Sequence, residues 1–345
     1  MKTKTTTFFP ILMMVLTASF FVLSSCNTGT KQSDSETEAA SETTKGAGED
    51  SDFKISLAQW SLHRSFFGDG LSDWQTFGRM LMESPDSVLQ GELDPMNFPE
   101  IAAGYGIYSI ELVNTFYFGK IGNQAYWDQF KENCDQAGVS VGLIMCDALG
   151  NLGDADEEAR MTAVENHYPW VDLAQFLGAQ SIRVNAAGQG APEEVAAHAT
   201  DGLTKLAEYS ETKGINVLVE NHGGYSSNGE WLSGVMESVD RENVGTLPDF
   251  GNFCIERGPE GCVNEYDRYK GMAELMPYAK GVSAKSHEFD ENGNEVHTDF
   301  LRMMKIVKES GFTGYVGIEY EGDQLSEEEG IKATKALLER VFDQL

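Results

Sequence analysis

Val217-Leu218-Val219-Glu220-Asn221-His222-Gly223-Gly224 is an apolar run that passes directly into a carboxylate, an amide and an imidazole and breaks at paired glycines. That is the pattern of a buried strand ending at a polar mouth. Three later segments repeat the form: Val244-Gly245-Thr246-Leu247-Pro248-Asp249-Phe250-Gly251, Gly281-Val282-Ser283-Ala284-Lys285-Ser286-His287-Glu288, and Gly314-Tyr315-Val316-Gly317-Ile318-Glu319-Tyr320-Glu321. Each closes an apolar stretch with a side chain able to ligate a metal. Glu220, Asp249, His287 and Glu319 are therefore expected to form a ring at the ends of four successive strands.

Upstream, strands are predicted at residues 54–63, 108–114, 139–147 and 179–185, alternating with helical patterns such as Gln124 to Ala137 and Glu157 to Leu177. Helices are also expected over 192–213, 231–239, 266–276, 300–309 and 327–342. Eight such units argue for a parallel sheet closed as a (β/α)₈ TIM barrel. An open doubly wound sheet would call for a glycine-rich phosphate turn, and no G-x-G-x-x-G follows the first strand. Residues 64–95 read as a long irregular insertion that carries Trp74 and Phe77 over the mouth as a lid.

Strand period two places Glu220 with His222 on one face, and likewise Arg183 with Asn185, Lys285 with His287, and Glu319 with Glu321. Three carboxylates converging without a cation would repel one another and be driven toward protonation. A divalent metal relieves that conflict. Three carboxylates and one imidazole suit Mn²⁺, Co²⁺ or Mg²⁺ ahead of Zn²⁺. His222, Lys285, His63, Glu111, Asn185 and Arg183, all near strand ends, are expected to contact substrate, whereas His167, His198 and His297 fit packing or solvated roles.

Lys2 and Lys4, an apolar core from Phe8 to Leu23, and Leu23-Ser24-Ser25-Cys26 read as an export signal over residues 1–25. The tetrapeptide resembles the lipobox of bacterial lipoproteins, which implies that Cys26 is lipidated and ties the protein to an envelope membrane, on the periplasmic or cell-surface side. Residues 26–52 are Ser/Thr/Glu/Gly-rich and cannot bury enough surface to fold, so they read as an acidic tether. Residues 53–345 form the barrel domain. With 55 acidic against 25 basic residues and a net charge of −30, a nucleic-acid backbone would be repelled and no nucleic-acid partner is expected. Cys254 and Cys262, eight apart in a Gly/Pro-bearing loop, could close a local disulfide or remain loop thiols, and Cys134 and Cys146 read as buried free thiols.

The order Glu220, Asp249, His287, Glu319 on strands five to eight resembles the xylose-isomerase-like superfamily of sugar isomerases and epimerases, which includes ketose 3-epimerases and inosose dehydratases. Leu247-Pro248-Asp249-Phe250-Gly251-Asn252-Phe253 and Glu265-Tyr266-Asp267-Arg268-Tyr269 resemble its secreted bacterial branch, known as sugar phosphate isomerase/epimerase. Where ketose epimerases commonly carry a histidine three residues after the metal-binding aspartate, this chain has Asn252. The resemblance implies proton abstraction next to a carbonyl, with Glu220 and Glu319 as base and acid on opposite sides of a small sugar. Arg183 and Lys285 make no phosphate cradle, so an unphosphorylated sugar or keto-glycoside is expected. The same enediolate could expel a β-substituent, as in a dehydratase or 3-keto-glycoside lyase. A non-catalytic carbohydrate-binding lipoprotein is the remaining alternative.

Overall fold

A computed structural model of the chain describes residues 52–259 and 261–345. The expected signal segment, Cys26 and all of the acidic tether except its last residue lie outside them. Among the described residues no helix is long and apolar enough to cross a membrane.

The barrel strands are β1 (Phe53–Ala58), β2 (Ser109–Val113), β3 (Ser140–Met145), β4 (Ser181–Val184), β5 (Asn216–Glu220), β6 (Val244–Leu247), β9 (Val282–Ser286) and β10 (Gly314–Tyr320). They pair in parallel in the order β6-β5-β4-β3-β2-β1-β10-β9. Isolated parallel bridges Thr246 to Ala279 and Asp249 to Ser283 bring the two ends together. The result is an eight-stranded TIM barrel. Every residue of β2, β4, β6 and β9 is buried, as expected for parallel strands covered on both faces.

The helices are α1 (His63–Phe67), α2 (Trp74–Glu83), α3 (Phe98–Gly104), α4 (Gln124–Ala137), α5 (Glu157–Leu177), α6 (Pro192–Glu211), α7 (Gly229–Val239), α8 (Arg268–Leu275), α9 (Phe300–Glu309) and α10 (Glu327–Phe342). Their ends follow local chemistry. Asn123 and Asp156 cap α4 and α5 by accepting from Tyr126 and Ala159 amides, and Gly138 and Gly178 stop them in the left-handed conformation. Asp267 accepts from the Tyr269 and Lys270 amides, so α8 starts two residues later than the apolar pattern predicts.

Residues 64–95 are more regular than expected. The Asp73 carboxylate accepts from the Gln75 amide and opens α2, which buries Phe77 and Leu81. This polar cap is easily overlooked beside the glycines of Gly68-Asp69-Gly70. Between β6 and α8 an antiparallel hairpin, β7 (Cys254–Gly258) and β8 (Gly261–Glu265), lies outside the barrel sheet. A disulfide joins Cys254 to Cys262 across it, and Cys134 and Cys146 are buried thiols.

Candidate active site at the mouth of the barrel

The C-terminal strand ends of a TIM barrel form the face on which reacting groups are held. Glu220 ends β5 and is fully buried. Asp249 lies just beyond β6, where its Oδ1 accepts from the Gly251 and Asn252 amides at 2.8 Å each and its own amide donates to Asn221 Oδ1 at 2.7 Å. Glu319 is carried by β10. Oxygen atoms of Glu220, Asp249 and Glu319 lie within 4.8 Å of one another. The Ser283 hydroxyl sits between two of them, 2.7 Å from Asp249 Oδ2 and 2.9 Å from Glu319 Oε2.

The fourth position of this ring belongs to a lysine. Lys285 is level with Glu319 in the sheet, and its Nζ lies 3.3 Å from Glu319 Oε1, 3.3 Å from Glu321 Oε1, 3.3 Å from Asn252 Oδ1 and 4.0 Å from Asp249 Oδ2. His287 comes two residues later, roughly 6–7 Å further along the chain. Its side chain is 37% exposed, with Nε2 3.8 Å from Glu321 Oε2. The structure thus gathers Glu220, Asp249 and Glu319 and leaves His287 outside their cluster.

Arg183, on β4, is the second buried cation. Its Nη1 donates to Asp147 Oδ1 at 2.7 Å, and its Nε approaches Glu220 Oε2 at 2.6 Å. The second contact is close but off the N–H direction, so Arg183 Nε and Glu220 Oε2 both remain without a hydrogen bond. Asn252 Nδ2 donates to the other Glu220 oxygen at 3.1 Å, and Asn185 Nδ2 donates to Asp147 Oδ1 at 2.8 Å.

Burial dominates the electrostatics. It pushes Glu220 up to about 7, against the pull of Arg183 and with the help of Glu319. It also raises Asp249 and Glu319, with Lys285 opposing in both cases. Glu111, lower in the barrel, is pushed up to about 7 by burial although Ser56 Oγ donates to it at 2.5 Å. Gly317 makes room for that carboxylate, because a Cβ there would meet Glu111 Oε1 at 2.6 Å. Asp147 goes the other way: burial would raise it, but Arg183 and then His222 hold it down to about 2. Glu321 is likewise held low by Lys285 and His287 against burial.

Above the cluster opens a cavity of about 420 Å³. Asp147, Arg183, His222, Glu319 and Glu321 form its polar side, and Trp60, Trp74, Phe77, Leu81, Val113 and Met145 form an apolar wall. Glu220, Asp249 and Lys285 lie beneath this lining. His63 is turned aside, with Nδ1 2.8 Å from the Trp60 carbonyl and 3.6 Å from Glu327, and its ring stacked on Trp60. Ala148, next to Asp147 in the wall, takes a left-handed backbone (φ 58°), which is uncommon for a residue with a Cβ.

Asp147, Glu321, Asn252 and Ser283 were not among the expected site residues. Asp147 and Glu321 had a signal, a carboxylate ending a predicted strand. Ser283 and Asn252 had none, since an inward-facing serine and a loop asparagine carry no chemistry until their neighbours are known.

Comparison with known proteins places this geometry. The xylose isomerase-like TIM barrel family matches residues 99–341. The chain belongs to that family. No curated protein matches it in sequence. Among solved structures, the IolI protein with a bound zinc atom is similar at 15% identity and a TM-score of 0.62, covering 84% of this chain and 98% of that one. The 3-keto-D-glucoside 4-epimerase YcjR from E. coli is similar at 14% identity and a TM-score of 0.58, covering 84% and 99%. D-psicose 3-epimerase, solved in the presence of D-fructose, is similar at 12% identity and a TM-score of 0.59, covering 84% and 99%. The fold is therefore that of sugar epimerases and isomerases. The residues of this member fit a divalent ion: the three clustered carboxylates are hard oxygen donors, and Glu220 Oε2 has no hydrogen-bond donor of its own.

Proposed function

We propose that the protein is a metal-dependent sugar isomerase or epimerase that moves a proton next to the carbonyl of an unphosphorylated sugar. The observation that carries this reading is Glu319, which faces the cavity, has its pKa raised by burial, and shares a carboxylate cluster with Glu220 and Asp249. A carboxylate whose affinity for protons is raised by burial is a stronger base than an ordinary one and is suited to general-base work. The Arg183 guanidinium also faces the cavity and can stabilise negative charge developing on the substrate oxygen. Arg183 is already committed to Asp147 and Glu220, which speaks against a phosphate ligand.

Glu220, Asp249 and Glu319 would hold the metal, Mn²⁺, Co²⁺ or Mg²⁺, which when bound supplies Lewis-acid polarisation of the carbonyl. Glu319 removes the proton from the adjacent carbon. Glu220, sealed under Arg183 with a pKa of about 7, is the reserve acid of the cluster. His222 stands at the end of β5, three strands round the barrel from β10. A proton returned from that side inverts the carbon and gives epimerisation.

One observation favours a second outcome for the same chemistry. The wall of Trp60, Trp74, Phe77, Leu81 and Met145 is largely apolar and suits the aglycone of a glycoside better than a row of sugar hydroxyls. With a 3-keto-glycoside, loss of the β-substituent would make the protein a lyase. The Leu23-Ser24-Ser25-Cys26 signal supports anchoring to an envelope membrane, which fatty-acid labelling of wild type against Cys26→Ala tests.

The deciding experiment is NMR in deuterated water with ketohexoses and 3-keto-glucosides, on protein treated with EDTA and then reloaded with Mn²⁺ or Co²⁺. Carbon-bound deuterium without aglycone release means epimerisation, and release means elimination. Glu319→Gln and Glu220→Gln are expected to abolish exchange. Full exchange by Glu319→Gln, or full activity after chelation, refutes the assignment; no conversion of any sugar by wild type favours a binding protein.

A further inference from the structure

The carboxylate cluster already contains a positive charge. Lys285 is 3% exposed, and its ammonium contacts Glu319 Oε1, Glu321 Oε1 and Asn252 Oδ1 at 3.3 Å, with Asp249 Oδ2 at 4.0 Å. Its aliphatic stem is wedged against Gly251, where a Cβ would meet Lys285 Cδ at 3.1 Å and Cγ at 3.2 Å. The side chain therefore occupies a fitted slot and is not a surface lysine that happens to point inward. Two of the three carboxylates that would bind a divalent ion are the ones Lys285 neutralises.

We propose that Lys285 is a built-in cation that competes with a divalent metal for Asp249 and Glu319, holding the metal affinity of this site far below what three carboxylates would give. A divalent ion held by Glu220, Asp249 and Glu319 would share two of its carboxylates with an ammonium fixed in that slot. Over so short a range, even with an effective dielectric constant near 20, like-charge repulsion weighs heavily against binding. Metal entry requires Nζ to leave Glu319 and Asp249. Glu321 and Asn252, both already within 3.3 Å, are the acceptors that can keep it. Lys285 thus makes metal occupancy conditional, and β9 contributes a competitor where the other strands contribute ligands.

The inference concerns equilibrium binding and stands whether or not the site converts a sugar. Its test is isothermal titration of the EDTA-treated full-length protein with MnCl₂ and with ZnCl₂, comparing wild type, Lys285→Met and the charge-keeping Lys285→Arg. Lys285→Met is expected to bind at least about a hundredfold more tightly than wild type, and Lys285→Arg to stay within about threefold of it. Wild-type affinity for Mn²⁺ is expected to be weaker than about 10 μM. The melting temperature gives a second readout, because a ligand stabilises in proportion to the logarithm of concentration over dissociation constant. Added at 1 mM, Mn²⁺ should shift Lys285→Met at least about twofold more than wild type. A nanomolar wild-type affinity, which needs no variant to measure, overturns the proposal. So do equal affinities, or equal thermal shifts, in wild type and Lys285→Met.

Discussion

Arg183→Met keeps the apolar stem of the β4 side chain and removes the charge that touches both Asp147 and Glu220. Asp147 is held down to about 2 chiefly by Arg183 acting against burial, compared with an ordinary value of 3.8. At about 1.4 kcal/mol per pH unit, that depression contributes about 2 kcal/mol. A carboxylate with a depressed pKa stabilises the fold above its unfolded value, and the contribution is lost only as pH falls from 3.8 through about 2, so it is fully present at pH 7. Glu220, fully buried, is also left without its guanidinium, and removing one partner of a buried pair costs about 3–5 kcal/mol. Since part of that cost is relieved when Glu220 protonates, the total stays near that range. For a domain of this size about 0.6 kcal/mol corresponds to 1 °C, so a fall in melting temperature of about 5–8 °C is expected. Differential scanning calorimetry at pH 7.5 in EDTA measures it, with Arg183→Lys expected to fall between variant and wild type. A loss below 1 °C would show that the guanidinium does not balance these carboxylates.

Glu111 makes the opposite pH prediction. Its folded pKa of about 7 stands above the ordinary 4.5, so the wild type loses stability as pH rises from 4.5 through 7. Glu111→Gln should accordingly gain about 2 kcal/mol more over wild type at pH 8 than at pH 5; parallel profiles of melting temperature against pH would contradict this. The Cys254–Cys262 disulfide closes a hairpin outside the barrel sheet, so dithiothreitol should speed tryptic cleavage at Arg257 severalfold while moving the melting temperature by less than about 2 °C, and a large global shift would mean the hairpin is integral to the core. Trp74 is 63% exposed on the cavity wall, so Trp74→Ala should weaken binding of aryl glycosides about threefold to tenfold and leave free hexoses nearly unaffected. Calorimetric titration distinguishes these, and equal losses for both ligands would remove the aglycone assignment.

Much of the fold follows from local pattern. Gln124–Ala137, Glu157–Leu177, Phe300–Glu309 and Glu327–Phe342 form the helices their periodicity predicts, because each carries its own amphipathic stripe and three of the four also their own cap and stop residues. The α2 helix is masked by Gly68 and Gly70 before it and Gly78 within it, although Trp74, Phe77 and Leu81 keep a helical spacing, and its start depends on one Asp73 hydrogen bond. At the site, Glu220, Asp249 and Glu319 are legible as carboxylates ending apolar runs. Their meeting within 4.8 Å depends on strand order and stagger.

The sequence by itself determined eight strand-helix units, the polar ends of the strands, and an acidic character that repels a nucleic-acid backbone. Period two also places Lys285 and His287 on one face of their strand, and there its power stops. Which of the two stands level with Glu319 is a matter of register between β9 and β10, set by hydrogen bonds between strands more than thirty residues apart. Tertiary structure chose Lys285. The same long-range closure brought Arg183 of β4 between Asp147 and Glu220 and turned four readable strand ends into three carboxylates facing two buried cations. Electrostatics acts through space, so the balance of that cluster has no counterpart along the chain.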